Sequence, residues 1–84
     1  MFIITTHAIE RYQERFHLVS SQEAELALQS VCSESRPAPK SIRRKMRNKT
    51  ALSHPGFEYR YHNHTSLFLV IDPDNRLVTV WPVV

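Results

Sequence analysis

A single glycine among 84 residues excludes a glycine-rich phosphate loop of the Walker or dinucleotide-binding kind, since each of those needs several. One cysteine, Cys32, can neither close an internal disulfide nor build a multi-thiolate zinc site. No stretch approaches the ~20 consecutive apolar residues of a membrane-crossing helix. The opening run Met1-Phe2-Ile3-Ile4-Thr5-Thr6-His7 lacks the basic segment of a secretory leader. These absences make the expectation a cytoplasmic protein with no membrane association, no cofactor and no structural metal. What is present is 42% hydrophobic residues with 10% aromatic, enough for one domain over residues 1–84 with a thin core.

Charge of one sign is also missing from part of the chain. Residues 40–49 hold no acid, yet Lys40, Arg43, Arg44, Lys45, Arg47 and Lys49 are six of the eleven Lys and Arg. The rest of the chain then has five basic residues against eight acidic ones, so an acidic body carries one basic strip. Segregation of that kind creates a local positive field suited to a polyanion. The other reading is a solvated loop or a docking surface for an acidic protein.

Residues 2–5 are apolar and β-branched and form an extended lead-in. Thr6 is placed to cap a first helix over about 7–17, with Ala8, Ile9, Tyr12 and Phe16 on its buried arc. Ser20-Ser21-Gln22-Glu23 has the form of a capping box that opens a second helix to about residue 33. Its apolar stripe is Ala24, Ala27, Leu28 and Val31, and Cys32 at its end is most simply a core residue. Pro37 and Pro39 stop that helix, and residues 36–50 become a basic connecting segment. Its only spaced apolar pair is Ile42 and Met46, which fits either a turn or two of helix or a mobile loop. After the turn His54-Pro55-Gly56 the period becomes two: Phe57, Tyr59 and Tyr61 alternate with Glu58, Arg60 and His62. The apolar run 66–71 reads as a central strand, and Leu77–Trp81 as the last strand. The connections 63–65 and 73–75 are short enough for hairpins. The expected fold is therefore α+β: two N-terminal helices on one face of a C-terminal antiparallel sheet of three to four strands.

Three constellations carry chemistry. His7, Arg11 and Arg15, spaced four apart, form a column along the first helix. Guanidinium forks bind phosphate oxygens, and an imidazole exchanges protons near neutral pH, so the column suits a phosphodiester. The plain alternative is an Arg11–Glu14 pair with Arg15 solvated. The aromatic stripe Phe57, Tyr59 and Tyr61, followed by Trp81, either stacks bases or is the buried face that receives the helices. Arg60 and His62 point to the other side of that strand, and with the basic strip they complete the candidate nucleic-acid contacts. His54, His62 and His64 could offer metal ligands, but no carboxylate or thiol completes the set.

The stretch His7-Ala8-Ile9-Glu10-Arg11-Tyr12-Gln13-Glu14-Arg15-Phe16 resembles the opening of a family of small bacterial and phage domains. That family begins His-Ala-x-x-Arg-x-x-x-Arg and closes on a segment like Leu77-Val78-Thr79-Val80. It is similar to the barnase–EndoU–colicin–RelE group of toxin-like ribonucleases. The resemblance implies a RelE- or barnase-like fold and metal-independent RNA cleavage through 2′-hydroxyl attack. By the same resemblance a cognate antitoxin protein would be a partner. His7 would be the acid or base, or a phosphate ligand. Arg11 and Arg15 would hold the scissile phosphate, and Thr79 would touch substrate or His7. The alternative class is a non-catalytic module that binds nucleic acid or protein through residues 40–49.

Overall fold

The computed structural model describes residues 1–17, 19–50 and 56–83, with the side chains of Lys49 and Thr50 left aside. Within them the chain runs β1 (Ile3–Ile4), α1 (Thr6–Arg15), α2 (Ser21–Glu34), β2 (Arg36–Pro37), α3 (Lys40–Lys45), α4 (Arg47–Thr50), β3 (Glu58–His62), β4 (Leu67–Ile71) and β5 (Arg76–Pro82). The protein is α+β. Its sheet order is β1-β5-β4-β3-β2, antiparallel except where β1 lies parallel to β5. Two short edge strands thus enlarge the expected meander of three to four strands and make the sheet mixed. No helix among the described residues is long and apolar enough to cross a membrane.

Helix α1 is capped by Thr5, one residue before the expected Thr6. The Thr5 hydroxyl accepts from the Ala8 N–H at 3.2 Å and donates to the Leu77 carbonyl at 2.7 Å. One side chain therefore caps the helix and ties it to β5, a task that Thr6, already helical, cannot perform. Helix α2 opens on the capping box that the sequence predicts, with Ser20 and Glu23 each accepting from the other's backbone N–H. Gln29 of α2 bonds both backbone groups of Phe2 through its side-chain amide, so the lead-in is held from the helix as well as from the sheet.

Helices α1 and α2 pack on one face of the sheet. Ala8, Tyr12, Ala24, Leu28, Val31 and Cys32 meet Leu67, Leu69, Ile71, Leu77 and Val80 there. Each fully buried Leu or Ile on this face contributes on the order of 1.5–3 kcal/mol. The aromatic stripe does not receive these helices. Phe57, Tyr59 and Tyr61 lie on the opposite face with Phe68, Val70 and Trp81, where Ile42 and Met46 of the connecting segment cover part of them. The two N-terminal helices do share one face, as expected; the second face is covered as well because residues 36–50 are themselves structured: β2 extends the sheet, and Ile42 of α3, with Met46 just after it, packs against the aromatic side. The i, i+4 spacing of Ile42 and Met46 thus resolves as helix.

A bulge sets which side chains of β5 reach each face. Val70 pairs with Thr79 but Ile71 pairs with Leu77, leaving Val78 as the extra residue. Leu77 and Val80, three apart, consequently share the helical face, while Thr79 and Trp81 turn to the aromatic one. The turn after β4 is built on Asp72, whose Oδ1 accepts from the N–H groups of Asp74 and Arg76, both at 2.9 Å. Asn75 takes the left-handed backbone conformation there, at φ 65°. The single glycine, Gly56, has φ 93°, and a Cβ at that position would lie 3.2 Å from Pro73. Residues His54 and Pro55 of the expected turn fall outside the described residues, and so does His54 as a candidate ligand.

Candidate nucleic-acid interface

The first candidate site grows from the basic strip. Pro37 and Pro39 end the preceding elements, and the Ala38 N–H donates to the Tyr59 carbonyl at 3.0 Å, fixing the chain beside β3. From Pro39 helix α3 carries Lys40, Arg43 and Arg44 out over the aromatic face, anchored beneath by Ile42 and Met46. Lys40, Arg43, Arg44 and Arg47 line an open cleft of about 360 Å³ whose floor is Tyr59 and Phe68. The Arg43 guanidinium lies 6.0 Å from the Tyr59 ring centre, and Tyr59 in turn stacks on Phe68 with centres 5.8 Å apart. Among the described residues no carboxylate pairs with Lys40, Arg43 or Arg44. Lys45 is exposed and does not line the cleft, and the Lys49 side chain lies outside the described ones. The arrangement combines several cations with ring faces, as contacts to an anionic backbone and to bases require.

The second site lies along α1. Because Thr5 is tied to Leu77 and Val78, α1 runs beside β5 in the same direction, and its basic column follows that strand. Arg11 lands with its guanidinium carbon 3.8 Å from the Trp81 ring centre and donates to Glu14 at 3.0 Å. Its Nε is buried with no hydrogen-bond partner among the described residues. Arg11, Glu14 and Arg15 line a cleft of about 330 Å³ with Val80, Trp81 and Pro82. The Arg11–Glu14 pair expected from spacing is thus present, but it coexists with a ring contact and a shared cleft.

The four residues carried over by resemblance are placed unequally. Arg11 and Arg15 share the second cleft. His7 is exposed one turn nearer the start of α1, about 6 Å along the axis from Arg11, and lines neither cleft. Thr79 lies on the aromatic face with its hydroxyl buried and unpartnered among the described residues.

Arg60 and His62 face α2, away from both clefts. The Arg60 Nε donates to the Ser35 hydroxyl at 2.7 Å, a second nitrogen donates to the Ser35 carbonyl, and a third meets Glu58 at 3.0 Å. The Thr65 N–H donates to His62 Nδ1 at 3.3 Å, and Nε2 faces the Glu34 carboxylate at 2.9 Å. Both side chains tie β3 to the end of α2. Cys32 is buried in the same region, and desolvation pushes its thiol up to about 11, with nearby Arg60 acting in the opposite direction. Among the described residues no three His, Cys, Asp or Glu side chains come together as metal ligands.

Phe68 and Pro82 carry part of these clefts without any signal of their own in the sequence. Phe68 sits in an apolar run where either face is equally apolar, and only strand register brings it under Tyr59. Compared with family models, curated proteins and solved structures, the chain has no match.

Proposed function

We propose that the protein is an RNA-directed domain that grips the RNA backbone in the cleft of α3 and cuts it at the α1 column. The observation that carries this reading is the cleft itself, with four cations over an aromatic floor and no carboxylate lining it. Neutralising phosphates there would release counterions, so affinity would fall steeply with salt. The resemblance of the His7–Phe16 stretch and of Leu77–Val80 to toxin-like ribonucleases supports cleavage as the reaction, and a cognate antitoxin as a partner.

In the proposed reaction the ribose 2′-hydroxyl attacks the adjacent phosphorus while its proton passes to a base. The bond to the 5′-oxygen breaks, and that oxygen takes a proton from an acid. Arg11 and Arg15 would hold the phosphate and stabilise its added charge, and His7 would carry one of the two protons. No step calls on a metal ion. Placement of His7 outside both clefts favours a second reading, in which the same surface binds nucleic acid without cutting it.

The test is incubation with labelled RNA and matching DNA, with and without EDTA, for the wild type, His7→Ala and Arg43→Glu/Arg44→Glu. RNA cleavage that persists in EDTA and disappears in His7→Ala is the expected result. Intact RNA bound in a salt-sensitive way, and released by the charge reversals, supports the non-catalytic reading. Absence of binding at low salt overturns both.

A further inference from the structure

The two clefts are built alike and meet through a run of aromatic rings. Each sets an arginine above an aromatic ring: Arg43 over Tyr59 in one, Arg11 over Trp81 in the other. Phe68 joins them. It forms part of the first floor, stacks with Tyr59, and is the cross-strand neighbour of Trp81 in the β4–β5 ladder. From β3 to β5 is two strand spacings, roughly 10 Å, or about three nucleotides at the ~3.4 Å rise of a stacked strand. The rings between are half-buried rather than closed over, except for Phe68 itself.

From this geometry we infer that one single strand of RNA runs across β3, β4 and β5 and occupies both clefts at once. The inference rests on the RNA-directed reading above and adds the form and path of the ligand. Arginines on either side take phosphates, and the ring and guanidinium planes take bases. A base can stack on such planes only when it is unpaired, which selects single strands over duplex. The shared occupancy has a thermodynamic consequence. A strand long enough to bridge the clefts gains from the second contact as an intramolecular event, while a dinucleotide fills one cleft at a time.

Trp81 is the only tryptophan, so the protein's tryptophan fluorescence reports on the ring beneath Arg11. The experiment titrates the full chain with a 2′-O-methyl RNA ten-mer, which cannot be cut, with its dinucleotide, and with the ten-mer annealed to its complement. Anisotropy of the labelled RNA and Trp81 emission are followed together for wild type, Arg44→Glu, Arg15→Glu and the double variant. The expected result is that the single-stranded ten-mer shifts Trp81 emission as it binds. Each single reversal should weaken it about tenfold or more, and the duplex should bind at least tenfold more weakly. Dinucleotide affinity should fall far less with either reversal.

Three results would overturn the path. In the first, the ten-mer binds with affinity lost in Arg44→Glu but with unchanged Trp81 emission and no effect of Arg15→Glu. That outcome leaves the α3 cleft as an RNA site and removes only the bridge. In the second, duplex and single strand bind equally well. In the third, no RNA binds at all, which removes the RNA-directed reading together with the path.

Discussion

The two faces of this sheet solve different problems. On the face under α1 and α2 the side chains are mostly aliphatic, and polar groups at its margin are answered from within. Arg60 is held by Ser35 and Glu58, and His62 by Glu34 and Thr65. On the other face the side chains are aromatic, the cover is the short helix α3 with Met46 behind it, and Lys40, Arg43 and Arg44 have no carboxylate partners among the described residues. A surface of like charges held over ring faces contributes little to folding and resists it by mutual repulsion. The contrast separates a face that stabilises the fold from one arranged for a ligand, and that separation can be tested.

The largest effect should come from the aliphatic face. Leu69 is fully buried at the centre of β4, and Leu69→Ala removes its methyl groups and leaves a cavity. A loss of about 2–5 kcal/mol is expected, a large part of the stability of a domain this small. Tyr59→Ala, on the half-buried aromatic face, should cost markedly less stability but weaken RNA binding. Urea unfolding and RNA titration on both variants check the pair. Equal destabilisation by the two, with RNA affinity unchanged in Tyr59→Ala, would erase the division.

A second change asks whether Arg60 belongs to the structure or to the ligand. Arg60→Ala strips Ser35 of its donors and leaves Glu58 without its guanidinium, so a loss of about 1–3 kcal/mol is expected. RNA affinity should stay within about twofold, because the guanidinium faces α2 and lines neither cleft. A drop in affinity as large as that of Arg44→Glu, with stability intact, would move Arg60 to the binding surface.

Much of the first face could be read from the sequence, because local rules and tertiary structure agree there. The 3.6-residue stripe of α2, the Ser20–Glu23 box and the alternation of β3 all follow from spacing within one element. The second face was less legible, because it depends on relations between elements. The aromatics of β3 were visible as a stripe, but nothing local indicates which face the helices choose. The bulge at Val78, which turns Thr79 and Trp81 to the aromatic side, has no sequence signal of its own. The cap falls on Thr5 rather than Thr6 for a similar reason: the two are equivalent as caps until the carbonyl of Leu77, far along the chain, selects between them. The column His7, Arg11 and Arg15 was legible as a spacing. That Arg11 would lie over Trp81 while His7 stayed outside the clefts was not, since it depends on how α1 lies along β5.

The smallest effect belongs to a residue remote from both clefts, which makes it a control for the comparison. Asp72 sits in the β4–β5 turn, where the backbone N–H of Arg76, its guanidinium and the N–H of Asp74 all stabilise the carboxylate against a weaker opposing effect of desolvation. They hold the carboxyl below its ordinary value of 3.8. A carboxyl depressed in the folded state contributes stability above the unfolded value, and that contribution is lost as pH falls toward and through the lower folded value. The wild-type melting temperature should therefore fall on acidification from just above 3.8 downward. Asp72→Asn keeps an acceptor for the turn but has no charge to titrate, so its melting temperature should start slightly lower at neutral pH and decline less in that window. Melting curves from pH 7 to pH 2 measure the difference. An unchanged acid slope would mean that the Arg76 contacts do not persist in solution. RNA affinity at neutral pH should be the same in both proteins, because a turn outside the two clefts has no route to the ligand except through global stability.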